Sequence, residues 1–435
     1  MFPTENEVRR KILMIDSKSF YASCECVDLG LNPMKALLVV MSQADNTNGG
    51  LVLASSPMAK KTFGISNVKR HRDLPDDPRL IIVPPRMNYY IKENKRVNDI
   101  FREFVAEEDL QLYSIDESIL DVTDSWGYLQ TKYGHDLTLK GLARIIQLEV
   151  KQRLGLYLTV GIGDNPTMAK LALDLESKHN HSLIAEWHYE QVPDKLWSIH
   201  DLSEVWSIGR RTAKKLNQMG LFTMGDIALA DPQYLMERFG VKGADLFALA
   251  WGVDRSRLSD KYQPKGASIS NSQVLPRDYV QASEIKNVIR EIGEQIAARL
   301  RAKGQACQVV HLYVGAALSE SEPGFSGQIS IDPTNRAKRI VGALYQLFDS
   351  QYGGQSIRHI GISVGKLIPD VAEQMDLFIE PTINMKEQTI EHVVDDIRHK
   401  FGTTAIVKLA STDNGGTMID RAGLVGGHSG GNAYG

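Results

Sequence analysis

The sequence predicts an α+β chain of several domains, and three stretches carry that expectation. In residues 11–188, short apolar runs of strand length alternate with segments whose apolar positions recur at helical spacing, the pattern of helices laid on a sheet. From about residue 190 to 260 the texture changes to short helices broken by glycine. Residues 267–369 then hold a long helix, two strands, a second helix and another strand, which suggests a β-α-β-β-α-β unit with two helices packed on a small sheet. A chain of 435 residues, 43% hydrophobic and 24% charged, is ordinary globular material for roughly two to four such domains.

The elements follow in order. Lys11–Ile15 is an apolar strand that ends at Asp16. The S-K-S-F-Y-A-S-C-E-C run after it begins a helix, with Ser17 or Ser19 near its start. Ala36–Met41 and Leu51–Ala54 read as buried strands, and Ser55-Ser56-Pro57 opens a helix carrying Lys60 and Lys61 that stops near Gly64. Leu80–Val83 is a further strand, closed by Pro84-Pro85. Tyr89–Phe104 has helical spacing. Leu112–Val122, L-Y-S-I-D-E-S-I-L-D-V, places two apolar runs around Asp116-Glu117, as in a tight turn between two strands. Leu139–Leu154 is an amphipathic helix, Leu156–Ile162 a strand, and Asn165 or Thr167 starts the helix Met168–Leu175. Residues 30–85 look like an insertion after the first strand. Lys261–Gly266 is a polar linker. From residue 370 the chain is expected to be acidic and irregular, with a disordered Gly-Gly-His-Ser-Gly-Gly end.

Charge and cysteine content exclude some classes. The net charge of −3 gives no global nucleic-acid signature, although one positive face is enough for binding. Residues 265–369 carry twelve Lys/Arg against eight Asp/Glu, a local excess suited to a DNA backbone. Cys24, Cys26 and Cys307 form neither a disulfide framework nor a zinc spacing, so a reducing, cytoplasmic setting is expected. No apolar run is long enough to span a membrane, and the first ten residues are polar and charged, unlike a signal peptide.

Asp16 ends one strand and Asp116-Glu117 form a turn. If those strands are neighbours, three carboxylates converge. Such a group repels itself, and divalent cations relieve the repulsion. Three carboxylates at strand ends can hold two Mg²⁺ about 3.5–4 Å apart, the arrangement that aligns attack and departure in phosphoryl transfer. Two other patterns are weaker. Gly161-Ile162-Gly163 lacks the third glycine of a dinucleotide loop. Lys178-His179-Asn180-His181 has no cysteine partners for zinc.

I-D-S-K-S-F-Y-A-S-C-E, S-I-D-E-S-I-L-D-V, V-G-I-G-D-N-P-T-M-A-K-L-A and V-W-S-I-G-R-R-T-A-K-K-L, in that order along nearly the whole chain, together resemble the Y-family DNA polymerases, the UmuC-like bacterial branch above all. The resemblance implies a right-hand polymerase. It implies a palm at 1–29 and 86–188, fingers at 30–85, a helix-hairpin-helix thumb at 189–260, a linker at 261–266, a little finger at 267–369 and a tail at 370–435. It further implies error-prone translesion synthesis in DNA repair and an SOS-type damage response. Primer-template DNA and dNTP would be the substrates, two Mg²⁺ the cofactor, and the chain a monomer with room for accessory subunits.

By the same resemblance, Asp16 and Asp116 are ligands shared by both metals, Glu117 is the carboxylate nearest the primer 3′-hydroxyl, and the Ser17 carbonyl completes a metal shell. Phe20 and Tyr21 offer backbone amides to the triphosphate, and Tyr21 is the steric gate against a 2′-hydroxyl. The fingers depart from the family pattern, which has a Tyr and an Arg one turn apart. Here Lys60 or Lys61 would meet the phosphates as a point charge, with Ser55 or Ser56 contributing a hydrogen bond. Lys178 resembles the palm lysine on the triphosphate. Gly209, Arg210, Arg211 and Lys214 resemble the hairpin that meets a DNA phosphate. Gln374-Met375-Asp376-Leu377-Phe378 resembles the pentapeptide that docks bacterial polymerases on the sliding clamp. Two rivals stand beside this reading: a catalytically silent DNA-binding accessory protein, and a nucleotidyl cyclase with similar palm carboxylates.

Overall fold

The computed structural model describes residues 4–42, 50–260, 266–370 and 381–430. The clamp-like pentapeptide Gln374–Phe378 and all of the linker except Gly266 lie outside them. The chain divides into two compact units, one drawn from residues 1–261 and the other formed by residues 262–435 with short pieces at 42–51 and 70–72.

The first unit is organised on a five-stranded sheet of order β5-β6-β1-β7-β8: β1 (Ile12–Ser17), β5 (Leu110–Leu112), β6 (Glu117–Asp121), β7 (Leu158–Gly163) and β8 (Ile184–Trp187). The central strand β1 is antiparallel to both β6 and β7. Its apolar run is continuous because both faces are covered. Leu13 and Ile15 belong to the larger core under α1 (Phe20–Asp28), α3 (Met87–Phe101) and α4 (Leu139–Leu154), whereas Ile12 and Met14 meet Ala169 and Leu173 of α5 (Pro166–Leu175). The two glycines of V-G-I-G serve this second face. A Cβ on Gly161 would stand 2.1 Å from the Ala169 carbonyl oxygen, and one on Gly163 would stand 2.4 Å from the Ala169 nitrogen. They allow α5 to press on β7 and hold no phosphate loop. Asn165 caps α5, accepting from the Met168 amide at 2.8 Å and donating to the Gly252 carbonyl at 2.8 Å.

A smaller sheet, β3-β2-β4, joins β2 (Leu38–Met41), β3 (Val52–Ser55) and β4 (Ile81–Val83). It carries α2 (Pro57–Phe63), which begins with Pro at its first position and ends at Gly64 in the left-handed region, φ 61°. Residues 190–260 form short helices around a core shared with Met168 and Leu171 of α5 and Trp187 of β8, with α6 (Arg210–Gln218) preceding the pair α7 (Pro232–Phe239) and α8 (Val241–Ala250). Gly243 lets that pair close, since a Cβ there would lie 2.2 Å from the Leu235 carbonyl oxygen.

The second unit has the expected β-α-β-β-α-β order: β9 (Ile269–Tyr279), α9 (Ala282–Ala302), β10 (Gln305–Ala316), β11 (Phe325–Thr334), α10 (Ala337–Asp349) and β12 (Ile357–Gly365), with sheet order β11-β10-β12-β9. The sequence does not announce β9, which is rich in serine and asparagine and contains Pro276. Its place at the sheet edge tolerates both. Several basic residues of this region are in ion pairs: Arg277 with Glu284, Lys286 with Asp349, Arg290 with Glu294, Arg301 with Asp395 and Arg358 with Asp278.

The expected irregular tail is corrected for residues 381–430. The helix α11 (Pro381–Phe401) and the segment after it pack on α9. Asp395 takes two hydrogen bonds from Arg301, at 2.6 and 3.1 Å, and the buried Thr417 donates its amide to Glu291 at 2.9 Å. The sequence reading missed this because the partners are charged and polar side chains of α9, not an apolar stripe. Among the described residues no helix is long and apolar enough to cross a membrane.

Candidate active site

The register of the first sheet does the convergence. Asp16 pairs with Glu117 on one side and with Thr159 on the other, and the Ser17 amide donates to the Asp116 carbonyl at 2.8 Å. The Thr159 hydroxyl donates to Asp16 Oδ1 at 3.0 Å and fixes that carboxylate. The Ser114 hydroxyl donates to Asp116 Oδ1 at 2.8 Å. Burial raises the Asp116 pKa, and the charges of Asp16 and Glu117 raise it further against the Ser114 bond. A carboxylate in that state is short of positive charge.

The deficit is met in part by lysines. Lys170 of α5, 8% exposed, donates to Glu117 Oε1 at 2.5 Å and lies 3.2 Å from Asp174. Lys178 lies 2.8 Å from Asp174 and 3.7 Å from Asp16. Burial alone would lower the Lys178 pKa, but Asp16 and Asp174 outweigh it and hold the ammonium above its ordinary value. Sequence reasoning assigned no role to Lys170, Asp174 or Thr159. The signal was present in alternating charges four residues apart, Lys170, Asp174 and Lys178.

A cavity of about 480 Å³ opens beside Asp16 and Asp116, within the size range of small-molecule sites. Lys18, Lys60 and Lys178 also line it, as do Ser19 and Tyr21. Its lining therefore carries both signs of charge, with Lys178 3.7 Å from Asp16. The start of α1 borders it, with no side chain capping the helix amides, so free N–H groups are available to an anion. Ser19, just before the helix, holds a left-handed conformation at φ 49°, a strained geometry for a residue with a Cβ.

The structure separates the fingers candidates. Both lysines are exposed, but Lys60 lines the cavity, its Nζ 3.2 Å from Ser19 Oγ, and Lys61 does not. Ser56 is corrected: its fully buried hydroxyl donates to the Ala36 carbonyl at 2.6 Å and accepts from the Ala59 and Leu38 amides. It is the cap of α2 and has nothing left for a nucleotide. Ser55 is corrected as well, being fully buried and away from the cavity lining. The Phe20 side chain is 2% exposed and belongs to the core. Lys60→Ala should accordingly raise the KM for an incoming nucleotide about tenfold, and Lys61→Ala should leave it within about twofold. Steady-state single-nucleotide insertion reads both, and equal effects would refute the distinction.

Gly209 does not end a helix. It opens α6 in an extended conformation with no side-chain cap, and Arg210, Arg211 and Lys214 are exposed along that helix. Ser207 before it is left-handed at φ 74° and accepts a hydrogen bond from Lys242 at 2.6 Å.

The carboxylate set suits a hard divalent cation: two aspartates on adjacent strand ends with a main-chain carbonyl beside them. As they stand, the side chains are not drawn together. Among the described residues no group of three or more His, Cys, Asp or Glu is placed to hold a metal ion, and Glu117 is engaged by Lys170.

Known protein families match the chain in three segments. The impB/mucB/samB family matches residues 15–174, the C-terminal domain of that family matches 267–377, and the HHH motif of the IMS family matches 189–221. The chain is 38% identical to the putative UV-damage repair protein UvrX of Bacillus subtilis, over 97% of this chain and 98% of that one. It is 31% identical to DNA polymerase IV 2 of the same organism, over 96% and 98%. A solved Y-family DNA polymerase chimera, Dbh-Dpo4(243-245)-Dbh, superposes with a TM-score of 0.64 over 82% of this chain and 99% of its own, at 21% identity.

Proposed function

The chain belongs to the impB/mucB/samB group of Y-family DNA polymerases, and from that premise we propose that it extends primers across damaged template bases with low fidelity, by metal-assisted nucleotidyl transfer. It is a DNA-directed DNA polymerase, with primer-template DNA and dNTP as substrates. The finer assignments are our reading. The palm is 1–29 and 86–188, the fingers 30–85, the thumb 189–260 and the little finger 267–369. Asp16, Asp116 and the Ser17 carbonyl would hold Mg²⁺, with Glu117 nearest the primer 3′-hydroxyl.

The observation that carries the reading is a cavity lined by both signs of charge, Asp16 and Asp116 together with Lys18, Lys60 and Lys178. Bound Mg²⁺ supplies Lewis acidity toward the 3′-hydroxyl and the departing pyrophosphate. The chain's own groups do the rest. Thr159 orients Asp16. Lys60, Lys178 and the open amides of α1 neutralise and align the triphosphate. Tyr21 closes the floor under the sugar, and the uncapped start of α6 with Arg210, Arg211 and Lys214 takes a DNA phosphate without reading sequence.

Primer extension opposite a panel of defined lesions, beside an undamaged template, tests this reading. Extension past lesions with frequent misinsertion supports it. No extension on the undamaged template would favour the silent accessory protein, and primer-independent release of pyrophosphate from a single nucleotide would favour the cyclase.

We also propose that Gln374–Phe378 docks on the bacterial sliding clamp. Leu377 and Phe378 would bury apolar surface at about 1.5–3 kcal/mol each, offset by ordering a short segment, so tethering would matter more than strength. Replacing both by alanine should leave distributive synthesis on a short primer nearly unchanged and remove stimulation by a loaded clamp. Loss of basal synthesis or of stability in that variant would mean that the pair is core.

A further inference from the structure

The ring of Tyr21 has a wall behind it. It stacks on Tyr90 of α3, with centroids 4.5 Å apart and planes 14° from parallel. Tyr90 is fully buried, and its hydroxyl donates to Glu25 Oε1 at 2.7 Å. Glu25, 4% exposed, lies on α1, the helix that carries Tyr21. Arg86 grips both Glu25 oxygens, with Nε and Nη2 at 3.0 and 2.6 Å. It also donates to Asp28 at 2.7 Å and lies over the Tyr89 ring at 4.5 Å. A buried phenol held this way can neither rotate nor slide without breaking a charge-assisted network.

A steric gate excludes only as well as it resists being pushed. A half-buried tyrosine with space behind it would turn to another rotamer when a 2′-hydroxyl pressed on it. Here that space is filled by a close-packed ring. We propose that Tyr90, fixed by Glu25 and Arg86, is a positioning residue for sugar discrimination: it holds the Tyr21 ring in place against the ribose 2′-hydroxyl. The proposal rests on the reading of Tyr21 as the gate. A plain packing role for Tyr90 predicts something else, a loss of stability that lowers ribo- and deoxynucleotide use alike.

The test is single-nucleotide insertion by the full chain with matched rNTP and dNTP, read as the ratio of their kcat/KM values. Y90L, which keeps the gate and removes its wall, should raise the ratio about tenfold or more. Y90F, which keeps the ring and drops only the bond to Glu25, should raise it about two- to fivefold, and it carries the test if Y90L does not fold. In a Y21A background, Y90L and Y90F should add nothing, because the coupled partner is gone. If Y21A raises the ratio and neither Tyr90 variant does, the gate stands and the positioning role is overturned. If the Tyr90 variants raise it equally in both backgrounds, Tyr90 acts without Tyr21 and the proposal is overturned. If Y21A alone leaves the ratio unchanged, the gate reading fails, and the proposal falls with it for a separately visible reason.

Discussion

Asp116→Ala is expected to abolish nucleotide addition while leaving primer-template affinity within a few-fold. The carboxylate faces the cavity, and its neighbours Asp16 and Glu117 crowd it with like charge. In our reading it is, with Asp16, one of two carboxylates that both metal ions would share. Loss of a shared ligand removes several kcal/mol of transition-state stabilisation, which at 1.36 kcal/mol per decade is about three orders of magnitude or more. DNA affinity should survive because it comes from phosphate contacts made elsewhere. The fold should survive too. A carboxylate whose pKa is raised in the folded chain destabilises that chain when ionised, and the destabilisation fades as pH falls through the raised value. Removing it should leave the Tm equal or slightly higher at neutral pH. Single-turnover insertion in Mg²⁺, anisotropy with a labelled primer-template and a melting curve check the three parts. Retained insertion would refute the metal assignment, and a collapsed Tm would make Asp116 a structural residue instead.

What the sequence made legible was the backbone of the site. A strand ending at Asp16 and a hairpin turning at Asp116-Glu117 are short-range patterns, and the pleat does the rest once they lie side by side. Side-chain commitments were not legible. Ser56 reads equally well as a phosphate donor or as a helix cap before Pro57, and only the burial of its hydroxyl under Ala36 and Leu38 decides. The Lys60 and Lys61 ambiguity is one of helix phase, about 100° per residue, which no spacing argument fixes without the packed neighbour. The hold of Lys170 on Glu117 joins residues 53 positions apart. The strand β9 was hidden because its buried Ile269, Leu275 and Tyr279 are spaced irregularly among polar residues, and the packing of α11 on α9 because its contacts are polar, where hydrophobic periodicity carries no signal.

Tyr21→Ala should raise ribonucleotide use by about two orders of magnitude relative to deoxynucleotide use, the size of a steric term near 3 kcal/mol. The two substrates differ only at the 2′-hydroxyl, so any effect on triphosphate binding, metal geometry or folding cancels in the ratio. Three features support so large a value. Tyr21 lines the cavity that Asp116 borders. Its ring stacks on the fully buried Tyr90. The start of α1 anchors its backbone beside Ser19, so a nucleotide seated on those amides sits close to the ring. Some stability will be lost, since an aromatic pair is worth about 0.5–1.5 kcal/mol beyond its buried area, but that cost falls on both substrates. Tyr21→Phe is the control: it keeps the ring, removes only the hydroxyl and should leave discrimination within about twofold. Matched rNTP and dNTP insertion kinetics on one undamaged template decide it. A ratio that moves as much in Tyr21→Phe as in Tyr21→Ala would place the discrimination in the hydroxyl, and a ratio that moves in neither would place it on another residue of the cavity.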